Sequence, residues 1–457
     1  MLLSVVGILT LLAVFVESEN WRGDRAWAAL EKELDAKGET LELSASQPPA
    51  VPDEKNLFKA PNLALLFYDR PADQQRKRLL EVTRFMEYTD LANFRGKLRD
   101  FPTLRDHLRK IGLLTADSTG APAADVLKAL QPLQPLLDEL REAARLRPQA
   151  RLAWNPNPFG SPTVDIDSIY QLGIALSVRA AAEVDLGRAE EAAADIYALQ
   201  RLANGLSIHP ATLLRFLIGE ALDNFAAGAI ADGYQSHIWN ERRLAEFQKL
   251  LEEDRPLAEF REAEEKERNM MIYLADAKPR IPIGITKWPW WLFHGWVQQN
   301  KVTFWRHLDN VLASFTTDPE RVFSERLGPL DAELGAYGRY HSPYDWLSSI
   351  AAYNSGGILR GVGTQAERLR LYFVSFAVER YRLAHGRYPE KLDDLVPEFL
   401  SARPIGIIDG QLIRYIKVPQ GGCELHSCGW LGGHNDGRAS DDIVVKLPDM
   451  ASHFIAH

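Results

Sequence analysis

The sixteen residues that open the chain, MLLSVVGILTLLAVFV, carry no charged side chain. As a helix they would extend about 24 Å, slightly short of the roughly 30 Å hydrocarbon core of a bilayer. Nothing polar interrupts the run to supply a solvent face, so a core helix of a soluble domain fits it poorly. A cleaved signal peptide would use Val16 and Ser18 as small-enough residues at its cleavage positions, but the usual basic residues ahead of the apolar core are missing. An uncleaved single-span anchor over residues 1–16 fits best, with Trp21 placed for the headgroup layer and Arg22 and Arg25 beyond it. No second run of this kind follows, so the bulk is expected on one side of the membrane.

At 457 residues the chain is long enough for two or three domains. Hydrophobic residues at 46% and charged residues at 25% are ordinary globular values, so the body should fold. A net charge of -9, with no stripe of Lys and Arg interleaved with aromatics, argues against nucleic acid as a partner. Cys423 and Cys428 are too few for a disulfide-built scaffold or a four-thiolate zinc site.

After the anchor, residues 17–60 read as a short helix, NWRGDRAWAALEKELDAKGE, stopped at Gly38, and then a Pro-rich extended spacer, SASQPPAVPDEKN. Residues 61–355 have helical spacing almost throughout and predict an irregular helical bundle. Within it, LGIALSVRAAAEVDLGRAEEAAADIYALQRLA predicts two amphipathic helices meeting at Gly187, with Ala180, Ala192 and Ile196 where paired helices approach closely. This hairpin resembles one tetratricopeptide unit, without a second copy at the expected period. WPWWLFHGW, from Trp288 to Trp296, reads chiefly as a cap on the helical core; a second contact with the bilayer interface is the competing reading.

Residues 356–457 change period. A helix placing Leu369, Phe373, Phe376, Ala377, Tyr381 and Ala384 on one face stops at Gly386, and Pro389 opens a short turn carrying Leu392, Leu395 and Val396. GQLIRYIKV, CELHSCGW and DDIVVKL then alternate as strands between Gly- and Asp-rich turns. One helix on a small antiparallel sheet is expected, and on that pattern 365–447 is expected to fold alone.

The stretches YRLAHGRYPEKLDDLVPEFL, DGQLIRY, SCGW, NDG and DDIVV resemble the C-terminal region of type II secretion major pseudopilins. They are more closely similar to the tail of a group of uncharacterised bacterial membrane-anchored proteins, which shares NWRGDRAW and the RAAAEVDLGRAEEAAADI hairpin. The resemblance implies a mainly α chain with a pseudopilin-like α+β cap, placed in a bacterial inner membrane with its bulk in the periplasm. It also implies a calcium loop, with an Asx-rich turn that satisfies its own backbone as the competing reading. Asp442 matches a ligand, with Asp441 beside it; Leu431 stands where an Asp is expected, and Asn435 and Asp436 can take its place. The loop DPFDG is reduced here to GIIDG, keeping Asp409 and Gly410. Pseudopilins run their span directly into this domain behind a processing site, whereas a long helical region intervenes here, so assembly into a fibre is not implied.

Other chemical signals are thin. Cys423, His426, Cys428 and His434 form the nearest approach to a soft-metal cluster, but a strand over CELHSC would turn the two thiols to opposite faces, leaving a buried thiol as the simpler reading. His209, His341 and His385 are isolated in sequence, and no nucleophile elbow, zincin helix or phosphate loop occurs. The expected role is therefore structural or interaction-based, with a protein partner in the envelope and a link to a secretion-like assembly. The alternative is an extracytoplasmic hydrolase with its site in the helical domain. A pocket gathering distant His and carboxylates would favour the enzyme; scattered polar residues and an exposed apolar groove would favour docking.

Overall fold

The computed structural model describes residues 2–42, 50–61, 63–66, 100–115, 120–152, 165–209, 212–276, 294–315, 321, 344–351, 355–419, 421–430 and 442–447. The helices in chain order are α1 (Leu2–Lys37), α2 (Phe101–Lys110), α3 (Pro122–Ala129), α4 (Gln134–Leu146), α5 (Ile166–Asp185) and α6 (Ala189–Ser207). There follow α7 (Leu213–Gln235), α8 (Glu241–Glu253), α9 (Pro256–Asp276), α10 (His294–Leu312), α11 (Trp346–Ala351) and α12 (Ser355–His385). Strands β1 (Arg414–Lys417), β2 (Cys423–Ser427) and β3 (Ile443–Leu447) close the described chain. The protein is thus mainly helical, with a long apolar helix at its N-terminus and a small antiparallel sheet at its C-terminal end.

Local chemistry explains the helix limits. Asp100, Asp165, Thr212 and Asn240 each accept a hydrogen bond at the side chain from the backbone N–H three residues on, so α2, α5, α7 and α8 begin capped. Gly38, Gly187 and Gly386 end their helices with φ of +69°, +71° and +71°, a conformation that a Cβ would strain. The hairpin expected around Gly187 is present as α5 and α6.

Contacts group the chain into two compact units, neither continuous in sequence: Met1–Pro48, Pro156–Pro158 and Phe260–Val362 form one, and Pro49–Asn155, Phe159–Glu259 and Gly363–His457 the other. The grouping does not follow the sequential division into 61–355 and 356–457. Its boundaries fall inside α9 and α12.

In the first unit α1 packs along α10, and α10 on α11, with Leu30, Leu34, Phe304, Trp305 and Leu308 buried. In the second, α5, α6 and α7 pack on one another, α3 on α5, and α4 on α5 and α6. Ala180, Ala192 and Ile196 are fully buried there. One continuous core runs from Leu57 through these helices to α12 and the sheet. Val374 to Glu379 are buried consecutively, so α12 has no solvent face at its middle: the sheet covers one side and Tyr234 of α7 meets Phe376, ring centroids 6.0 Å apart, on another. Of the residues expected on its inner face, Ala384 is exposed.

The strand order is β1-β2-β3, antiparallel, with Tyr415 opposite Leu425 and Leu425 opposite Val445. Along β3 Ile443, Val445 and Leu447 are buried and Val444 and Lys446 exposed, the alternation of a strand covered on one face, whereas central β2 is buried at Cys423, Leu425, His426 and Ser427.

Candidate functional site

Polarity changes once along α1. The large apolar side chains from Leu3 to Phe15 are exposed, Leu3 at 88% and Phe15 at 52%, and the helix is long and apolar enough to cross a membrane. From Glu19 onward one side is buried against α10. There is no break between the anchor and the following helix: the segments expected as 1–16 and the start of 17–60 are one helix of 36 residues, about 54 Å long.

The contact is intimate because two glycines meet. A methyl group on Gly23 would run into the Gly295 carbonyl, and one on Gly295 into the backbone of Glu19 and Asn20. Around this point the Gly295 N–H donates to Asn20 Oδ1 at 3.0 Å, Gln299 Nε2 donates to Glu19 Oε2 at 3.1 Å, and His294 Nε2 lies 3.1 Å from Asp24 Oδ2. Farther along, the Lys301 ammonium lies 3.6 Å from the Trp27 ring centroid, and Arg306 pairs with Glu33, whose carboxyl is held down at about 2 chiefly by that hydrogen bond. The order of these pairs makes α1 and α10 parallel. The apolar end of α1 is therefore rigidly continuous with a folded unit.

The same unit holds a cavity of about 570 Å³ lined by the end of α1, α9 and α10. Its charges are compensated within the wall. Lys266 Nζ lies 2.7 Å from Glu262, Arg261 Nε 3.2 Å from Glu265, and Arg268 reaches Glu39 at 3.2 Å while lying 4.8 Å from the Trp305 ring centroid. Asn269 Nδ2 donates to the Thr40 carbonyl at 3.0 Å, leaving its buried Oδ1 without a hydrogen-bond partner among the described residues. The lining has carboxylates but neither His nor Cys.

A second polar feature of this unit is His307, whose Nδ1 lies 2.7 Å from Ser348 Oγ. Both side chains are buried, and burial lowers the imidazole to about 4, so it is neutral at physiological pH.

Of the expected calcium ligands, Asn435, Asp436 and Asp441 lie outside the described residues. Asp442 is described: its Oδ2 lies 3.0 Å from Arg414 Nη2 of β1. The reduced GIIDG loop is organised by a group the sequence reading passed over. Glu367 of α12, wholly buried, accepts at Oε2 from the backbone N–H of Ile407 at 2.5 Å and of Ile408 at 3.0 Å. Asp409 Oδ1 accepts from the Gln411 N–H at 2.9 Å, an Asx turn.

Cys423 and Cys428 are buried free thiols, and burial pushes Cys423 up to about 12. His426 Nε2 pairs with Glu424 Oε2 at 2.9 Å on the polar face of the sheet, and His385 stacks on Tyr381. His209 holds φ +52° at the end of α6, while His341 and His434, like Trp288 to Phe293, lie outside the described residues. Among the described residues no group of three His, Cys, Asp or Glu is arranged to hold a metal ion.

Two buried charge clusters escaped the sequence reading. Arg141, Arg179, Glu183 and Asp195 interlock between α4, α5 and α6. On α7, burial raises Asp223 well above the carboxylate range, helped by the charges of Asp254, Glu220 and Glu259. The available signal was a pair of acids three residues apart in IGEALDNFAAGAI, an otherwise apolar helix.

Compared with known proteins, the chain matches no family model, no curated protein and no solved structure.

Proposed function

We propose that this chain is an envelope protein of structural or protein-interaction type, held by α1 in a bacterial inner membrane with its bulk in the periplasm. The observation that carries the reading is α1 itself: one unbroken helix whose exposed apolar end, Leu3 to Phe15, leads into a polar portion bolted to α10. Exposing that much apolar surface to water costs about 25 cal/mol per Å², a cost lipid removes. The cleft walled by Glu39, Lys266 and Arg268 is the proposed docking surface for a polar segment of an envelope partner. The α5–α6 hairpin is proposed as tetratricopeptide-like, and α12 with its sheet as pseudopilin-like; that second likeness supports the link to a secretion-like assembly.

The test is fractionation of the full-length chain from bacterial cells, followed by protease treatment of spheroplasts and crosslinked pull-down. Carbonate-resistant membrane retention and digestion from outside are expected. Capture of a partner should weaken when Arg261 and Lys266 are both changed to Glu. A product freely soluble in cytosol would overturn the reading.

The alternative, an extracytoplasmic hydrolase, has one observation in its favour, the 2.7 Å His307–Ser348 pair. A Ser activated by a neutral imidazole is the minimal nucleophile–base arrangement. Labelling of Ser348 by a fluorophosphonate, abolished in Ser348→Ala, would support it; no labelling sinks it.

A further inference from the structure

The apolar run that ends at Val16 is short for a bilayer: Leu2 to Val16 covers about 22 Å of a roughly 30 Å core. A short span needs other groups to fix its depth, by thinning the bilayer or by interfacial anchoring. The start of α10 lies at the right level. Gly295 is packed against Glu19 and Asn20, three to four residues beyond Val16, and the Trp296 ring lies 5.8 Å from that of Phe15, inside the apolar run. Side chains tilt toward the N-terminus of their helix, and because α10 runs parallel to α1 this tilt aims Trp296 at the membrane side.

Trp21, 61% exposed, stands five residues beyond Val16, about 7–8 Å along the axis, with the Arg25 guanidinium 5.3 Å from its ring centroid. A headgroup layer is roughly 5–7 Å deep on each side of the core. Trp296 thus falls within that layer and Trp21 at its outer edge. The charged groups nearby are Glu17, Glu19, Arg22, Asp24 and Arg25, of mixed sign, so the surface suits aromatic anchoring rather than selection of anionic lipid.

We propose that the start of α10 is a second membrane contact: Trp296, with His294 beside it, sits in the phospholipid headgroup layer of the leaflet from which α1 emerges. The inference rests on the reading of α1 as a span. It makes the membrane grip two-point. Rotation and depth of the folded unit are then set by α10, while α1 prevents release.

The experiment places a solvent-sensitive fluorophore on single introduced cysteines of the full-length chain, reconstituted in phosphatidylcholine vesicles containing lipid brominated near the headgroup; native Cys423 and Cys428 are buried. Positions are Trp296→Cys, Asn310→Cys and Ile8→Cys. Asn310 is exposed on the same helix, about 21 Å farther along it. Quenching at 296 is expected to exceed that at 310 by about threefold. Equal quenching at 296 and 310, with Ile8 quenched by deeply brominated lipid, would overturn the second contact and leave the anchor standing. Failure to quench at Ile8 would overturn the anchor and the inference together. Should Trp296→Cys not fold, His294→Cys carries the same comparison with the same outcomes.

Discussion

Arg179 and Asp195 are joined across the α5–α6 hairpin by two charge-assisted hydrogen bonds, Nε to Oδ2 at 2.6 Å and Nη2 to Oδ1 at 2.5 Å. Asp195 is wholly buried and also accepts from Arg141 of α4 at 2.5 Å and 2.8 Å; Arg141 continues to Glu183 at 2.7 Å. One carboxylate therefore ties three helices. Removing it leaves Arg179 with half-exposed Asp138 and Arg141 with Glu183 as their remaining carboxylate partners, which is expected to cost about 2–3 kcal/mol in Asp195→Ala. Asp138, which pairs with Arg179 from a half-exposed position, should cost less than about 1 kcal/mol when changed to Ala. Urea unfolding of the two variants checks this; equal costs would deny Asp195 its clamping role.

Burial holds several carboxyls above their ordinary range: Asp223, Asp254 at about 6, Glu264 at about 7, and Glu183 at about 7. Such groups bind protons in the folded chain that the unfolded chain has already released. Stability from them is intact below the ordinary carboxylate value and falls as pH rises through 6 and 7. Melting at pH 5 is therefore expected above melting at pH 8. Asp223→Asn removes the penalty while keeping the acceptor for Gln200, 2.5 Å away, and should raise the pH 8 stability by about 1–2 kcal/mol. An unaltered difference between the two pH values in that variant would remove Asp223 as its source.

Gly295→Val tests the union of α1 and α10. The added side chain collides with backbone at Glu19 and Asn20, which cannot swing aside as a side chain can. A cost of about 1–3 kcal/mol is expected, with loss of protection in α10 by hydrogen exchange but unchanged membrane retention. Release from the membrane would instead show that the span alone does not hold.

Asp442 has one oxygen 3.0 Å from Arg414, and its buried Oδ1 has no hydrogen-bond partner among the described residues. Calcium drawn by Asn435, Asp436, Asp441 and Asp442 would have to bind next to a fixed guanidinium charge. Chelator against millimolar calcium is expected to move Tm by less than about 2 °C, and Arg414→Gln to enlarge the effect. No response in either protein would remove Asp442 as a ligand.

What was legible in the sequence was what local chemistry dictates. The uncharged run ending at Val16, the glycine stops at 38, 187 and 386, and the three alternating stretches all express short-range backbone or solvation preferences. The seat of α1 was not legible, because Gly23 and Gly295 are 272 positions apart and each alone reads as a weak point in a helix. Glu367 was missed for the same reason: its partners are backbone N–H groups 40 and 41 residues on, which carry no residue code. Arg179, Glu183 and Asp195 carry no sequence mark of burial, because charged residues on amphipathic helices ordinarily face solvent. Only the packing of α4 over them makes them interior.

The helix-plus-sheet pattern of 365–447 led to the expectation that it folds alone, and its neighbours argue the reverse. Val374, Phe376 and Val378 belong to one core with Tyr234, Trp239 and Phe247 of the preceding helices and the turn between them. Gln248 Nε2 donates to the Phe399 carbonyl at 2.8 Å, and Tyr234 Oη to the Lys446 carbonyl at 3.3 Å. Cutting the chain at 365 exposes those side chains at about 1.5–3 kcal/mol each, a sum comparable with the whole stability of a small domain. The isolated fragment is therefore expected to show helical far-ultraviolet dichroism without a cooperative melt or near-ultraviolet signal. A sharp two-state transition in the fragment would show that α12 and the sheet suffice, and that the helices carrying Tyr234 and Gln248 merely lean on a cap already formed.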